Sequence, residues 1–277
     1  MPRTTTVAAA VLAATALAAS AATASAAPTQ DRPTPEARAA GITEPGQAQM
    51  GWKEKATGPS KSSSDTTAVT APSGVKGIDV SNWQGSVDWT AQWNLGKRFA
   101  YVKATEGTGY TSPSFAQQYN GSYNVGMIRG SYHFALPNTS SGATQANYFV
   151  DHGGGWSADG KTLPGALDVE WNPYGSTCFG LTQASMKTWI NSFLSQYKAR
   201  TGRYPVIYTN TYWWNQCVGH DTTFAAKSPL WIARYSSSAG TLPSGWGTYS
   251  FWLYSDSPID QNVWNGSLDR LRYFAMN

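Results

Sequence analysis

The sequence predicts an α/β protein whose parallel strands close into a barrel. Short apolar runs recur from position 76 to the C-terminus, and most are followed by a longer polar or amphipathic segment. That alternation is what parallel strands joined by crossovers produce. With about eight such strands, a closed barrel is favoured over an open doubly wound sheet. No G-x-G-x-x-G or G-x-x-x-x-G-K-[ST] loop follows any run, which counts against nucleotide binding.

The chain opens "MPRTTTVAAAVLAATALAASAATASA", with Arg3, an unbroken Ala/Val/Leu-rich run and an A-x-A site at Ala24-Ser25-Ala26. These are the marks of a secretory signal peptide over 1–26. A membrane anchor is the rival, but the run is rich in Ala and Thr and has no flanking charge on its far side. No later stretch approaches the ~20 apolar residues of a membrane span.

Residues 27–75 are rich in Pro, Ser, Thr, Gly and Ala, and Trp52 is their only aromatic. Such a stretch buries too little apolar surface to offset chain entropy, so a disordered pro-segment or linker is expected. The short "MGWKE" in its middle could dock on another surface but does not by itself predict docking. From position 76 the composition reverses, and 76–277 holds all 15 Tyr, all 9 Phe and every Trp but one. That is material for one well-filled domain.

Within it the expected strands are "KGIDVS", "FAYVKATEG", "MIRGSYHFA", "PGALDVEW", "YPVIYTN", "PLWIARY" and "YSFWLYS". The strongest helix is "LTQASMKTWINSFLSQYKARTG", capped by Thr182 and ended by Gly202. Met186, Trp189, Ile190, Phe193, Leu194 and Tyr197 recur at helical spacing and give it one buried face. "SPSFAQQYNGSYNVG" and "SGATQANYFVDHG" are also read as helices. Cys178 and Cys217 are the only cysteines. In an exported protein an even pair favours a disulfide over a catalytic thiol.

The net charge of +4 is mild and the basic residues are scattered. This permits attraction to an anionic wall polymer and does not point to nucleic acid. His133, His152 and His220 lack the paired spacing of zinc ligands, and His133 reads as a satisfied core residue. There is no G-x-S-x-G nucleophile elbow.

The acids carry the chemistry. Asp79, Glu106, Asp168 and Glu170 fall at predicted strand ends, and Asp260 lies in "SPIDQNVWNG". In a parallel barrel the strand C-termini share one face, so these residues converge there. Asp168 and Glu170, two apart, aim to the same side of a strand. Burying unpaired charge is costly, so folding alone does not favour the pair. Three readings fit: glycoside hydrolysis by paired carboxylates, an oxygen-only divalent metal site, or sugar binding without catalysis. Ion pairing or helix capping is the plain alternative for any one acid. Trp83, Tyr101, Tyr110, Tyr132, Trp171, Tyr208, Tyr235, Trp252 and Tyr254 sit in or near predicted strand ends. Aromatic faces beside acids tip the choice toward carbohydrate.

"KGIDVSNWQGSVDW", "FAYVKATEG", "RGSYHFA", "ALDVEW", "YPVIYTN", "LWIARY" and "DQNVWNGS" occur in an order that resembles glycoside hydrolase family 25, the N-acetylmuramidases. The likeness runs from position 76 to the C-terminus, and the Ala-rich opening and Pro/Ser-rich leader resemble those of actinomycete members. It implies an irregular single (β/α) barrel of about eight strands, with fewer helices than a TIM barrel and a groove at the strand C-terminal ends. It implies Glu170 as general acid and Asp168 as nucleophile or as stabiliser of the substrate's acetamido group. Asp79 and Asp260 complete the acids, and Tyr132 and Trp171 match groove aromatics. One block departs from the family: "FWLYSDS" carries Leu253 where Gln is expected, which leaves Asp256 as an alternative to Asp260.

The expectation is therefore a secreted, extracellular lysozyme, acting as a monomer without metal or cofactor on peptidoglycan glycan strands. Tyr101, Glu106, Tyr208, Tyr235, Trp252 and Tyr254 are further candidate sugar contacts. A chitinase-like glycosidase is one rival, although "LPGALDVE" lacks the first two acids of D-x-x-D-x-D-x-E. A barrel that binds wall sugars without cutting them is the other.

Overall fold

Strands β1 (Val75–Val80), β2 (Phe99–Glu106), β4 (Ile128–Phe134), β5 (Ala166–Asp168), β6 (Val206–Thr209), β7 (Leu230–Ala233) and β8 (Phe251–Ser255) pair in parallel in that order. A last strand, β9 (Gln261–Trp264), runs antiparallel between β8 and β1 and closes the barrel. The short β3 (Tyr110–Thr111) is a hairpin addition on β2. The structure is a computed structural model and describes residues 1–2, 32–54 and 72–277. Apart from positions 1 and 2, the expected signal peptide lies outside the described residues.

All seven expected strands form, several of them shorter than expected; besides the hairpin strand β3, the addition is β9. It escapes notice because an inward position is polar: Asn262 is fully buried. Its side chain accepts from Trp231 Nε1 at 2.8 Å and donates to Asp79 at 2.6 Å. The barrel interior is filled by Phe99, Tyr101, Tyr132, Tyr208, Trp231, Phe251 and Leu253, so it is a packed core and leaves no channel.

The outer helices are α2 (Trp89–Asn94), α3 (Phe115–Asn124), α4 (Gly142–Phe149), α5 (Gln183–Thr201), α6 (Thr211–Cys217) and α7 (Leu268–Met276), and α1 (Pro35–Ala39) belongs to the leader. Helix α5 follows its expectation closely. Thr182 accepts from Ser185 N at 3.2 Å, Gly202 ends it at φ 81°, and its six expected apolar residues are buried. They pack with Leu167 and Ile207 on the outside of β5 and β6. His133 is a satisfied core residue as expected: Gln145 and Thr105 bond its two ring nitrogens at 2.9 and 2.7 Å, and burial holds its pKa down at about 4. Among the described residues no helix is long and apolar enough to cross a membrane.

Cys178 and Cys217 are bonded, with Cα atoms 5.3 Å apart and a sequence separation of 39. The bridge ties the loop after β5 to the end of α6. Closing a loop of this length stabilises by about 2–4 kcal/mol. Replacing both cysteines with Ala is expected to lower the thermal midpoint by roughly 5–10 °C, read by calorimetry; an unchanged midpoint would refute the contribution.

Residues 32–54 lie within the stretch expected to be disordered, yet they are ordered against the strand C-terminal ends. Ala37, Ile42, Ala48, Met50 and Trp52 are all buried there. The expectation weighed whether the segment could make a core of its own; here it borrows one.

Candidate active site

β5 places the central pair. Asp168 is its last residue, registered between Phe134 of β4 and Tyr208 of β6. Val169 N donates to Tyr208 O at 3.0 Å, which carries the ladder one residue further. Glu170 therefore leaves the sheet on the side Asp168 faces. The two carboxyls are 0% and 2% exposed. Burial pushes both well above the usual carboxylate range. The Asp168 charge raises Glu170 further, whereas the Lys103 ammonium pulls Asp168 partway back. Two adjacent acids in one dry site compete for protonation, an arrangement that raises the proton affinity of one so that it can serve as an acid.

Glu106 ends β2 beside them. Lys103 Nζ reaches its carboxylate at 2.5 Å with both side chains fully buried, and the Tyr174 hydroxyl also donates to it. Residues three apart on a regular strand face opposite sides. The register of β2 against β4 shifts between Lys103 and Thr105, and that bulge brings both side chains to one side.

Asp79, near the end of β1, is held by Asn262. Asp260 sits just before β9 and is 2% exposed. Tyr132 shares this space: desolvation raises its phenol most, and Asp79, Asp168 and Asp260 raise it further. Tyr208 is raised by burial and then by Glu170 and Asp168. Tyr235 is raised by burial and then by Asp260, Asp256, Asp79 and Glu170. Of the two alternatives for the late acid, buried Asp260 raises both the Tyr132 and the Tyr235 phenols, whereas half-buried Asp256 raises that of Tyr235. Trp171 is half-buried at the rim, with Lys53 Nζ 5.7 Å from its ring.

Three expected sugar contacts lie elsewhere. Tyr101 is deep in the barrel, donating to Pro164 O at 2.9 Å and packed on Trp231 at 4.7 Å. It stands five residues below the end of β2. Trp252 and Tyr254 belong to an outer cluster with Leu230, Ile232 and Val263, and Trp252 Nε1 donates to Arg234 O at 2.9 Å. The strand's alternation decides this: Leu253, between them, is the residue that faces inward. Sequence reasoning missed Lys103, Tyr174 and Asn262. Lys103 carried a usable signal, since a charge inside the apolar run "FAYVKATEG" is as anomalous as the acids of "LDVEW". Among the described residues no three His, Cys, Asp or Glu side chains group as metal ligands.

Residues 78–263 match the family model described as Glycosyl hydrolases family 25. Lysozyme M1 of Streptomyces globisporus is 53% identical over 213 residues, covering 74% of this chain and 72% of its own. The N,O-diacetylmuramidase of Chalaropsis sp is 48% identical over 208 residues, 73% of this chain and 99% of its own. The crystal structure of the bacterial lysozyme from Streptomyces coelicolor superposes with a TM-score of 0.73 at 52% identity, covering 75% of this chain and 99% of that one.

Proposed function

Because this chain belongs to glycosyl hydrolases family 25, and is thus a glycoside hydrolase, we propose that it is a secreted N-acetylmuramidase. It would hydrolyse the β-1,4 bond between N-acetylmuramic acid and N-acetylglucosamine in peptidoglycan. The observation that carries the proposal is the pair Asp168 and Glu170, buried together at the C-terminal end of β5. Relatives at about half identity named lysozyme and diacetylmuramidase support the substrate.

Glu170 is the group that gives up a proton. Burial and then the neighbouring Asp168 charge raise its proton affinity, and it delivers a proton to the glycosidic oxygen as the bond to the anomeric carbon breaks. Asp168 supplies negative charge to the oxocarbenium-like centre left behind. Water then adds to that carbon, and Glu170 takes back a proton. Asp79, fixed by Asn262, and Asp260 set the local field and orient the sugar. Tyr132, Tyr208, Tyr235, Trp171 and Glu106 line the groove. The signal peptide at 1–26, the leader at 27–75 and the catalytic domain at 76–277 complete the proposal, and the disulfide suits export.

The test uses mature protein from culture and purified peptidoglycan. New ends are reduced with borohydride and the reduced sugar is identified. Muraminitol is the expected product; glucosaminitol would move the cut to the other linkage and overturn the assigned specificity.

A further inference from the structure

We propose that the leader is an intramolecular inhibitor: residues 46–54 lie across the catalytic carboxyls and keep the enzyme latent until the tether at 55–71 is cut. This rests on the assignment of Glu170 as the general acid.

The path of the segment is set by polar contacts with the groove itself. Thr34 N donates to Pro173 O at 2.8 Å and anchors the start. Gly46 N donates to Glu106 at 3.0 Å and Lys103 Nζ donates to Gly46 O at 3.0 Å. Lys103 also donates to Ala48 O. Gly51 N donates to Glu170 Oε1 at 2.9 Å, and the Tyr235 hydroxyl donates to Gly51 O at 3.4 Å. Trp52, 1% exposed, donates through Nε1 to Trp171 O at 3.0 Å. Asn210 bonds Glu54 at the far end. One peptide thus engages Glu106, Glu170, Tyr235 and Trp171, all candidate glycan contacts.

A scissile oxygen must come within about 2.6–3.2 Å of the general acid to receive its proton. The Gly51 amide already stands at that distance on the carboxyl oxygen. Glycan and leader cannot hold the position together, and at 2% exposure Glu170 is closed to a polymer.

The leader is fitted to this place. Met50 is fully buried in the apolar cluster that contains Tyr132, Tyr208 and Leu253. Leu253 is the residue that departs from the family's expected Gln, so the leader's apolar side chain meets an apolar wall where an amide was expected. Gly46 and Gly51 have φ of +92° and +70°. A Cβ would approach Tyr110 to 2.2 Å at Gly46 and the Tyr235 hydroxyl to 2.5 Å at Gly51. Both positions therefore require glycine. While covalently joined to the barrel, the segment competes intramolecularly. Cutting the tether makes its rebinding bimolecular and lets glycan displace it.

The experiment uses the full secreted chain with a site-specific protease sequence placed within 55–71. Reducing-end release from peptidoglycan is measured before and after cutting, at nanomolar enzyme. Cutting is expected to raise the rate at least tenfold, and Gly46→Ala with Gly51→Ala should give the uncut chain a rate close to the cut one. Equal rates before and after cutting, or an uncut double variant as slow as the uncut parent, would overturn the proposal. If neither form hydrolyses peptidoglycan, the muramidase assignment fails, and binding then decides this one. A labelled peptide of residues 32–54 should bind the cut, separated barrel and be displaced by peptidoglycan glycan fragments. Failure to bind, or binding that those fragments leave untouched, would overturn it.

Discussion

Glu170→Gln is expected to lower peptidoglycan hydrolysis by the cut enzyme at least 100-fold while leaving fold and glycan binding in place, because general acid catalysis contributes on the order of 10²–10⁴. Gln keeps the shape and the hydrogen-bonding oxygen of Glu but has no proton of suitable acidity to give. A variant that keeps more than a tenth of the parental rate would remove Glu170 from this role. The same variant has a second signature. Glu170 is raised well above its usual value, first by burial and then by Asp168. A folded-state pKa above the unfolded one adds stability below the unfolded value of about 4.3. That contribution is lost as pH rises through the folded pKa. Gln has no such loss. The thermal midpoint of the variant should therefore exceed that of the parent at pH 8, with the gap narrowing toward pH 4. Loss of activity without this pH-dependent gap would mean that Glu170 is not held protonated by its surroundings.

The acids were legible because a charge inside an apolar strand is anomalous whatever fold surrounds it. Strand ends put Asp79, Glu106, Asp168 and Glu170 on one face of a parallel barrel, and the structure gathers them there. Helix α5 was equally open to reading, since its apolar spacing, Thr182 and Gly202 agree with one another. Height along a strand was harder to read. Tyr101 and Tyr132 look alike in sequence, but Tyr101 lies five residues before the end of β2 and Tyr132 only two before the end of β4. Facing was lost in β8, where a run of apolar residues hides the alternation and Phe251 and Leu253 point inward while Trp252 and Tyr254 point outward. The bulge that joins Lys103 to Glu106 had no local signature at all. Leader docking was invisible for a different reason. Composition measures whether a segment can build a core, whereas Met50 and Trp52 enter one built by residues far along the chain.

Lys103→Met should destabilise the protein and disturb catalysis together. Lys103 and Glu106 are both fully buried and paired at 2.5 Å. Removing only the cation leaves a buried carboxylate without its counter-charge, which costs about 3–5 kcal/mol. In a domain of this size that corresponds to a fall of roughly 10 °C in thermal midpoint. Lys103→Met with Glu106→Gln removes both charges and should recover most of the loss, since a buried pair is worth little more than well-packed neutral groups. The catalytic effect follows from a different interaction. The Lys103 charge lowers Asp168, whereas Glu106 raises it. Without Lys103, Asp168 takes up a proton at higher pH and no longer offers full negative charge to the cationic centre. The acid limb of the rate profile should move to higher pH in the single variant and return partway in the double. Lys103 also donates to Gly46 O and Ala48 O of the leader. If those bonds were all it supplied, the double variant would be as unstable as the single one and the cut enzyme's acid limb would not move. Recovery in the double variant therefore separates support of the carboxylate cluster from attachment of the leader, two roles that the same ammonium group performs.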